Sequence, residues 1–283
     1  MARKDDHGGT QSLDRAVGVL RLVASRTGLG VRLVDIVERS GLSKPTAHRL
    51  LQALERQGLL AHDPATRLYH LGPEAFVIGT LAAERYGIHR AALPSLSRLA
   101  LASQDTAFLS VRRDWQAVYL RREEGPFPIR SHVLQAGSRW PLGVGSGSLA
   151  ILATLPDAEV EDTLAQAASE IEARYPRFSP AMLRDAVART REFGYALNPG
   201  LVEPESWGIG VAVLDCRGRC EGALSINAIQ SRLSPEARQR ELAALLRGEA
   251  QRLADCLARP EEASDPASVA RRRRRQAAPA AAA

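Results

Sequence analysis

The stretch SGLSKPTAHRLLQALERQGLL, Ser40 to Leu60, sorts its residues onto two unlike faces of one helix, and this limits the possible folds more than any other feature of the chain. Ser43 is a good N-cap, Pro45 is tolerated in a first turn, and Gly58 supplies a stop. Between them Ala47, Leu50, Leu51 and Leu54 recur at helical spacing and need an apolar partner. The opposite side holds Pro45, Arg49 and Gln52, with Thr46 and His48 at its flanks and Lys44 at the leading end. That side has nothing to bury.

The neighbouring segments provide the partner. Leu13, Ala16, Val17, Leu20, Val23 and Ala24 form one amphipathic helix with Ser12 as its expected N-cap. After a loop at Thr27–Gly30, Leu33, Ile36 and Val37 face inward from a short second helix that Ser40-Gly41 ends. Beyond the third helix, Leu59–His62 and Arg67–Leu71 flank an Asp63-Pro64-Ala65-Thr66 turn, the pattern of a β-hairpin. Three short helices and a hairpin make a winged helix-turn-helix, whose second motif helix enters the major groove of double-stranded DNA. Only the leading end of that helix comes close to the bases. The candidate contacts are therefore Ser43, Lys44, Pro45, Thr46, His48 and Arg49, with Arg67 reaching the backbone or minor groove from the hairpin tip. A solvated surface helix is the competing explanation of those charges, and the hairpin together with local positive charge weighs against it.

Charge is distributed to match. Residues 13–72 hold nine Lys/Arg against five Asp/Glu, residues 73–259 hold 22 of each, and residues 260–283 hold five against three. Polyanion contact belongs to the ends of the chain. No apolar run approaches the roughly 20 residues of a membrane span, and MARKDDHGGT lacks the apolar segment of a secretory signal, so a cytoplasmic protein without a membrane partner is expected. Cys216, Cys220 and Cys256 offer neither a disulfide framework nor a zinc site of ordinary spacing, and no cofactor or metal is expected.

The remainder reads as mixed α and β. A helix over 74–85 is a plausible connector. Further helices are expected near 91–103, at Ser146–Thr154, Asp157–Gln166 and Pro180–Phe193, and from Ser234 to about Leu257. Strands are expected at 106–112, 116–122, near 127–135, at 208–214 and at 221–229, which implies an antiparallel sheet covered by helices. Residues 1–11 and 260–283 should be disordered tails, the second carrying the basic run Arg271–Arg275.

SLDRAVGVLRLVA, LVDIVERSGLSKPTAHRLLQALERQGLLAHD and YHLGPEAFVIG resemble the N-terminal domain of the isocitrate lyase regulator (IclR) family of bacterial transcription factors. PLGVGSGSLAILATLP and REFGYALNPGLVEPESWGIGVAVLDCRGRCEGALSINA resemble stretches of that family's C-terminal domain. The resemblance implies an α+β chain: a winged helix-turn-helix at 12–72, a linker helix at 73–88 and a GAF-like effector-binding domain with an antiparallel sheet at 89–259. It implies an operator-binding homodimer or tetramer controlled by a small organic effector, an organic acid or aromatic metabolite. Carried over by position, effector contacts fall on Ser146, Gly147, Asn198, Gly208, Ser225 and Asn227. Ser225 and Asn227 are two apart and share one side of a strand, while Ser146 and Gly147 stand at a helix start whose amides suit a carboxylate.

Four departures from the family pattern stand out. Asn198 replaces the usual Asp or Ser, Leu201 the usual Glu, and Gly208 the usual Cys, Ser or Ala, which should enlarge the pocket or make it more tolerant of an anionic or aromatic ligand. Val34 occupies a position where a capping Ser or Thr is usual and should weaken its helix start. An enzyme with an appended DNA-binding domain is the alternative reading, but after residue 89 the only histidine is His132, and no nucleophile elbow, P-loop or HExxH pattern occurs. A ligand-independent architectural protein, suggested by the basic tail, is the other.

Overall fold

The structure, a computed structural model, describes residues 10–25, 29–85, 87–129 and 134–258. Its first unit contains α1 (Gln11–Ala24), β1 (Val31–Arg32), α2 (Leu33–Ser40), α3 (Lys44–Arg56), β2 (Leu60–Asp63) and β3 (Leu68–Leu71). The strands pair antiparallel in the order β1-β3-β2. Val19, Val23, Val31, Ile36, Ala47, Leu51, Leu54, Leu60 and Tyr69 make the core, with Leu50 packed at its margin. Ile36 and Leu51 are completely buried, each contributing about 1.5–3 kcal/mol through removal of apolar surface from water.

Local details differ from the expectation. The α1 N-cap is Thr10, whose carbonyl accepts from Asp14 N at 3.0 Å, so Ser12 lies inside the first turn and caps nothing. At α2 the N-cap is Arg32, and the carboxylate of Asp35 accepts from Arg32 N at 3.4 Å. Val34 therefore lies inside α2 and outside the cap, with its side chain 70% exposed. Gly41 ends α2 in the left-handed region at φ 66°, where glycine carries no Cβ penalty.

Two glycines fix how the chain leaves the hairpin. A Cβ on Gly72 would lie 2.1 Å from the carbonyl oxygen of Gly58, so the backbones touch. Gly72 N donates to Leu59 O at 2.9 Å and Glu74 N to Gly58 O at 3.0 Å. These bonds bind the start of α4 (Pro73–Arg85) to the base of the hairpin.

The second unit comprises α5 (Ile88–Ala91), α6 (Leu93–Ser103), β4 (Thr106–Arg113), β5 (Gln116–Glu123), β6 (Arg139–Pro141), α7 (Ser146–Leu152), α8 (Asp157–Arg174), α9 (Pro180–Phe193), β7 (Ala196–Glu203), β8 (Ser206–Leu214), β9 (Cys220–Ile229), α10 (Gln230–Leu233) and α11 (Glu236–Ala258). The sheet is antiparallel throughout, in the order β6-β5-β4-β9-β8-β7. Alternation along each strand feeds two cores. Phe108 and Tyr119 pack with α7, α8 and α9, whereas Leu109, Val111, Ile209 and Leu224 pack with α6 and α11. The chain is thus α+β, as expected. No strand occupies the described part of 127–135; the strand next to β5 is β6, and residues 130–133 lie outside the described residues. Strand β7 was not anticipated, and α8 continues to Arg174 because Ala167 and Ile171 extend its buried stripe.

One arginine–carboxylate cluster ties α10 and α11 to the residue before β4, and a second ties α11 to α6. Asp105 accepts from Arg232 at 2.8 and 3.0 Å, Arg238 stands 3.7 Å away, and the Arg232 guanidinium lies 4.0 Å from the Phe127 ring centroid. Glu249 on α11 accepts from Arg98 on α6 at 2.8 and 2.7 Å and from Arg252 at 2.6 Å. Burial by itself would raise the Glu249 carboxyl, but hydrogen bonds from Arg98, Arg252 and Ser95 prevail and hold it at about 2. In the unfolded chain the same group titrates near the ordinary value of about 4.3. The folded form binds the proton less well, so this stabilisation is complete above the unfolded value and disappears as pH falls toward 2. Glu249→Gln is expected to lose less thermal stability than the wild type between about pH 6 and about pH 3; equal losses would remove Glu249 as the source.

Candidate nucleic-acid interface and effector cleft

On α3 the two faces separate as the sequence requires. Ala47, Leu51 and Leu54 are buried, while Ser43, Lys44, Pro45, His48, Arg49 and Gln52 are exposed and Thr46 is half-buried. Ser43 occupies the N-cap, but its hydroxyl lies 2.8 Å from the Thr46 hydroxyl and makes no capping bond to the backbone. Pro45, second in the helix, lacks an N–H at a point where none is needed. The result is a helix start bearing hydroxyls, an ammonium, an imidazole and a guanidinium, all directed away from the core.

Arg67 stands in the hairpin turn, not in the second strand as the sequence suggested. Its φ is 58°, in the left-handed region, and its N–H donates to Asp63 O at 2.8 Å. The Asp63 carboxylate accepts from the Thr66 hydroxyl at 2.6 Å and from Ala65 N at 2.9 Å. Thr66 first, then the Ala65 amide, hold that carboxyl below its ordinary range. The wing tip is thus shaped by its own hydrogen bonds and leaves Arg67 exposed. His62 stacks on Tyr69 at 4.5 Å, which gives it a packing role.

The six effector candidates converge where α7 crosses the sheet. Asn198, Gly208 and Asn227 stand opposite one another on β7, β8 and β9, and in the next row Gly210 stands opposite Ser225. Missing side chains bring α7 onto this surface. A Cβ on Gly147 would lie 2.8 Å from Ser110 Oγ and 3.1 Å from Ser225 Oγ; one on Gly210 would lie 2.8 Å from Ser146 O. The cleft left at the edge of this contact is narrow, with an enclosed space of about 10 Å³. Ser146, Asn198, Gly208 and Asn227 line it, while Gly147 and Ser225 stand just behind. Trp140, Gly145, Val202 and Ser206 complete the wall. Trp140 was the only one of these with a visible signal, an indole beside the glycine-rich segment. Val202 and Ser206 depend on β7, which the sequence did not disclose.

Gly208 does not enlarge the cleft. The position of its absent Cβ lies 2.6 Å from Ser146 Oγ and 3.0 Å from Asn227 Oδ1, so neighbours occupy the space. Asn198 Oδ1 accepts from Leu201 N at 2.9 Å and shapes the irregular stretch of β7 where its pairing with β8 slips. Ser110 Oγ, Ser225 Oγ and Asn227 Oδ1 are buried without a hydrogen-bond partner, a condition that costs about 1–3 kcal/mol per group. The lining supplies hydroxyls, amides and an indole, and none of its side chains is charged. Such a wall can hydrogen-bond and stack a small molecule.

Comparison with known proteins places both units. The model for the bacterial transcriptional regulator IclR C-terminal domain matches residues 80–255, and that for the IclR helix-turn-helix domain matches residues 12–64. The HTH-type transcriptional regulator BhcR of Paracoccus denitrificans is 29% identical over 81% of each chain. XynR of Escherichia coli is 28% identical over 79% of this chain and 88% of its own. In fold, an IclR homolog from Microbacterium hydrocarbonoxydans, crystallised with 4-hydroxybenzoate, matches 86% of this chain and 98% of its own with a TM-score of 0.68 at 23% identity. These relatives regulate transcription and are not enzymes. With each of its two units matched to the corresponding part of one two-domain family, the chain belongs to the IclR family of bacterial transcriptional regulators.

Proposed function

We propose that this regulator binds operator DNA through the start of α3 and the wing, as a homo-oligomer in the cytoplasm, and that a small organic effector in the cleft by Trp140 sets its operator affinity. Residues 12–72 are the DNA-binding unit, 73–88 the linker and 89–259 the sensor. Ser43, Lys44, Pro45, Thr46, His48 and Arg49 with Arg67 form the DNA surface. Ser146, Gly147, Asn198, Gly208, Ser225 and Asn227 form or back the effector site. The observation that carries the sensor assignment is the pair of buried, unpartnered acceptors, Ser225 Oγ and Asn227 Oδ1, behind and beside an aromatic wall. The 4-hydroxybenzoate of the Microbacterium homolog, a phenol and carboxylate on a flat ring, is the kind of molecule such a wall suits. An effector that binds one arrangement better shifts the equilibrium by its difference in binding free energy.

Support for the oligomer comes from α4. Phe76, Val77, Ile78 and Leu81 are 75%, 45%, 52% and 64% exposed, respectively. An apolar stripe of this size on one helix is the mark of an interface, and a second copy presents the same stripe in return.

The sensor assignment is tested by a thermal-shift screen of small organic acids and aromatics, 4-hydroxybenzoate included, on the wild type and on Gly208→Val. A ligand at about 100 times its Kd stabilises by about 2.7 kcal/mol, which raises Tm by about 5–10 °C for a domain of this size. The valine must displace Ser146 Oγ and Asn227 Oδ1, which already fill that corner of the cleft, so the rise is expected in the wild type alone. Absence of any rise in the wild type would refute the sensor half.

A further inference from the structure

Tyr119 lies between the cleft and the DNA-binding unit within one chain. Tyr119 on β5 is completely buried. Its ring stands edge-on to Trp140 with centroids 5.8 Å apart, and its hydroxyl lies 3.2 Å from the position of a Cβ on Gly145. Both of those neighbours line the cleft. The Tyr119 backbone faces the other way: its N–H donates to Ser138 O at 3.0 Å, and its carbonyl accepts from Gly137 N at 2.7 Å. The turn Gln135–Ser138 is closed by Ser138 N donating to Gln135 O at 3.1 Å and Gln135 N donating to Ser138 Oγ at 3.1 Å.

The end of α1 rests on this turn. Gly137 has φ 86°, and a Cβ there would lie 3.1 Å from Ala24 O and 3.7 Å from Ser25 Cα. Next to it, Arg139 is half-buried; burial first, then the charges of Arg21 on α1 and Arg113 on β4, lower its pKa. Arg21 and Arg113 thus bring like charge toward Arg139, opposed by the Asp114 carboxylate, and the close approach of Ala24 leaves little room for a side chain at Gly137. On its other side α1 shares a core with the DNA-reading helix, Val19 and Val23 packing with Ala47, Leu51 and Leu54.

We propose that Tyr119 and the Gln135–Ser138 turn transmit the state of the cleft to α1, and through the shared core to α3, inside one protomer. A molecule that displaces Trp140 or Gly145 pushes on the Tyr119 ring. Because close-packed interiors pass displacement on without absorbing it, the backbone bonds of Tyr119 carry the shift to the turn, and the turn carries it to the last turn of α1. Tyr119 acts as a positioning residue. The inference rests on the cleft being the effector site, but its test needs no effector, so the two readings fail independently.

Hydrogen–deuterium exchange on the full chain tests it from both ends. Arg21→Glu, an exposed change in the DNA-binding unit, gives Arg139 an opposite charge and should tighten the contact. Exchange in residues 134–140 and 145–148 of the sensor is expected to slow by about threefold or more. Trp140→Ala, in the cleft wall, is expected to speed exchange in residues 20–25 by about threefold or more, while the amides of α11 keep their protection. Changes confined to the unit that carries the substitution would overturn the proposal. Should Trp140→Ala fail to fold, the Arg21→Glu arm decides alone.

Discussion

Arg49→Ala lowers affinity for a duplex from the protein's own upstream region by about ten- to a hundredfold, the value of one bidentate base contact of about 1–3 kcal/mol. Arg49 is exposed on the side of α3 opposite Ala47, Leu51 and Leu54, so the substitution leaves the core intact and thermal stability within about 0.5 kcal/mol. A base contact and a phosphate contact leave different traces. Loss of a base contact narrows the gap between the preferred duplex and a random one; loss of a phosphate contact weakens both alike and lowers the salt slope by about one. Arg49→Ala is expected to show the first pattern in fluorescence anisotropy titrations, and Lys44→Ala, at the first helical position, the second. Equal binding of the upstream and random duplexes by the wild type would refute the recognition surface altogether.

If α4 forms the proposed oligomer interface, Phe76→Glu combined with Leu81→Glu is expected to separate the oligomer into protomers and, with it, to remove cooperative engagement of paired half-sites. Tethering two DNA-binding units raises apparent affinity by about 10²–10⁴ through effective concentration alone, so a loss of that order is expected although neither residue approaches DNA. Both side chains are more than half exposed and α4 packs only its start against the hairpin base, so the protomer has no reason to unfold. Sedimentation velocity gives the assembly state directly. A double variant that sediments like the wild type would move the interface away from α4.

Elements were legible in the sequence wherever a buried stripe was long and regular. Pro180–Phe193 matches α9 residue for residue, because Ser179 caps it, with its hydroxyl accepting from Met182 N at 3.2 Å, and Gly194 stops it at φ 70°. The strands 106–112, 116–122 and 221–229 were visible from β-branched and aromatic content between turns. Strand β7 was hidden because Pro199 and Gly200 interrupt it and its pairing with β8 slips between Asn198 and Glu203, so no period-two pattern survives. Strands β1 and β6 are too short to carry a pattern at all. Of the cleft, the residues borne by the glycine-rich segment and by β9 could be located from the family resemblance. The filling of the Gly208 position by Ser146 could not, since it depends on two backbones meeting across elements far apart in sequence.

The meeting of Gly58 and Gly72 bears on what counts as an operator. With backbone against backbone at that joint, the start of α4 is fixed to the winged helix, and in the proposed oligomer two protomers joined through α4 would hold both α3 helices at one separation and one angle. Each base pair added between half-sites rotates the second half-site by about 35° around the duplex axis. On the proposed assembly, the uncontacted base pairs at the centre of the operator would be counted by the protein, and their number would be as much a part of the recognised site as the bases facing Arg49.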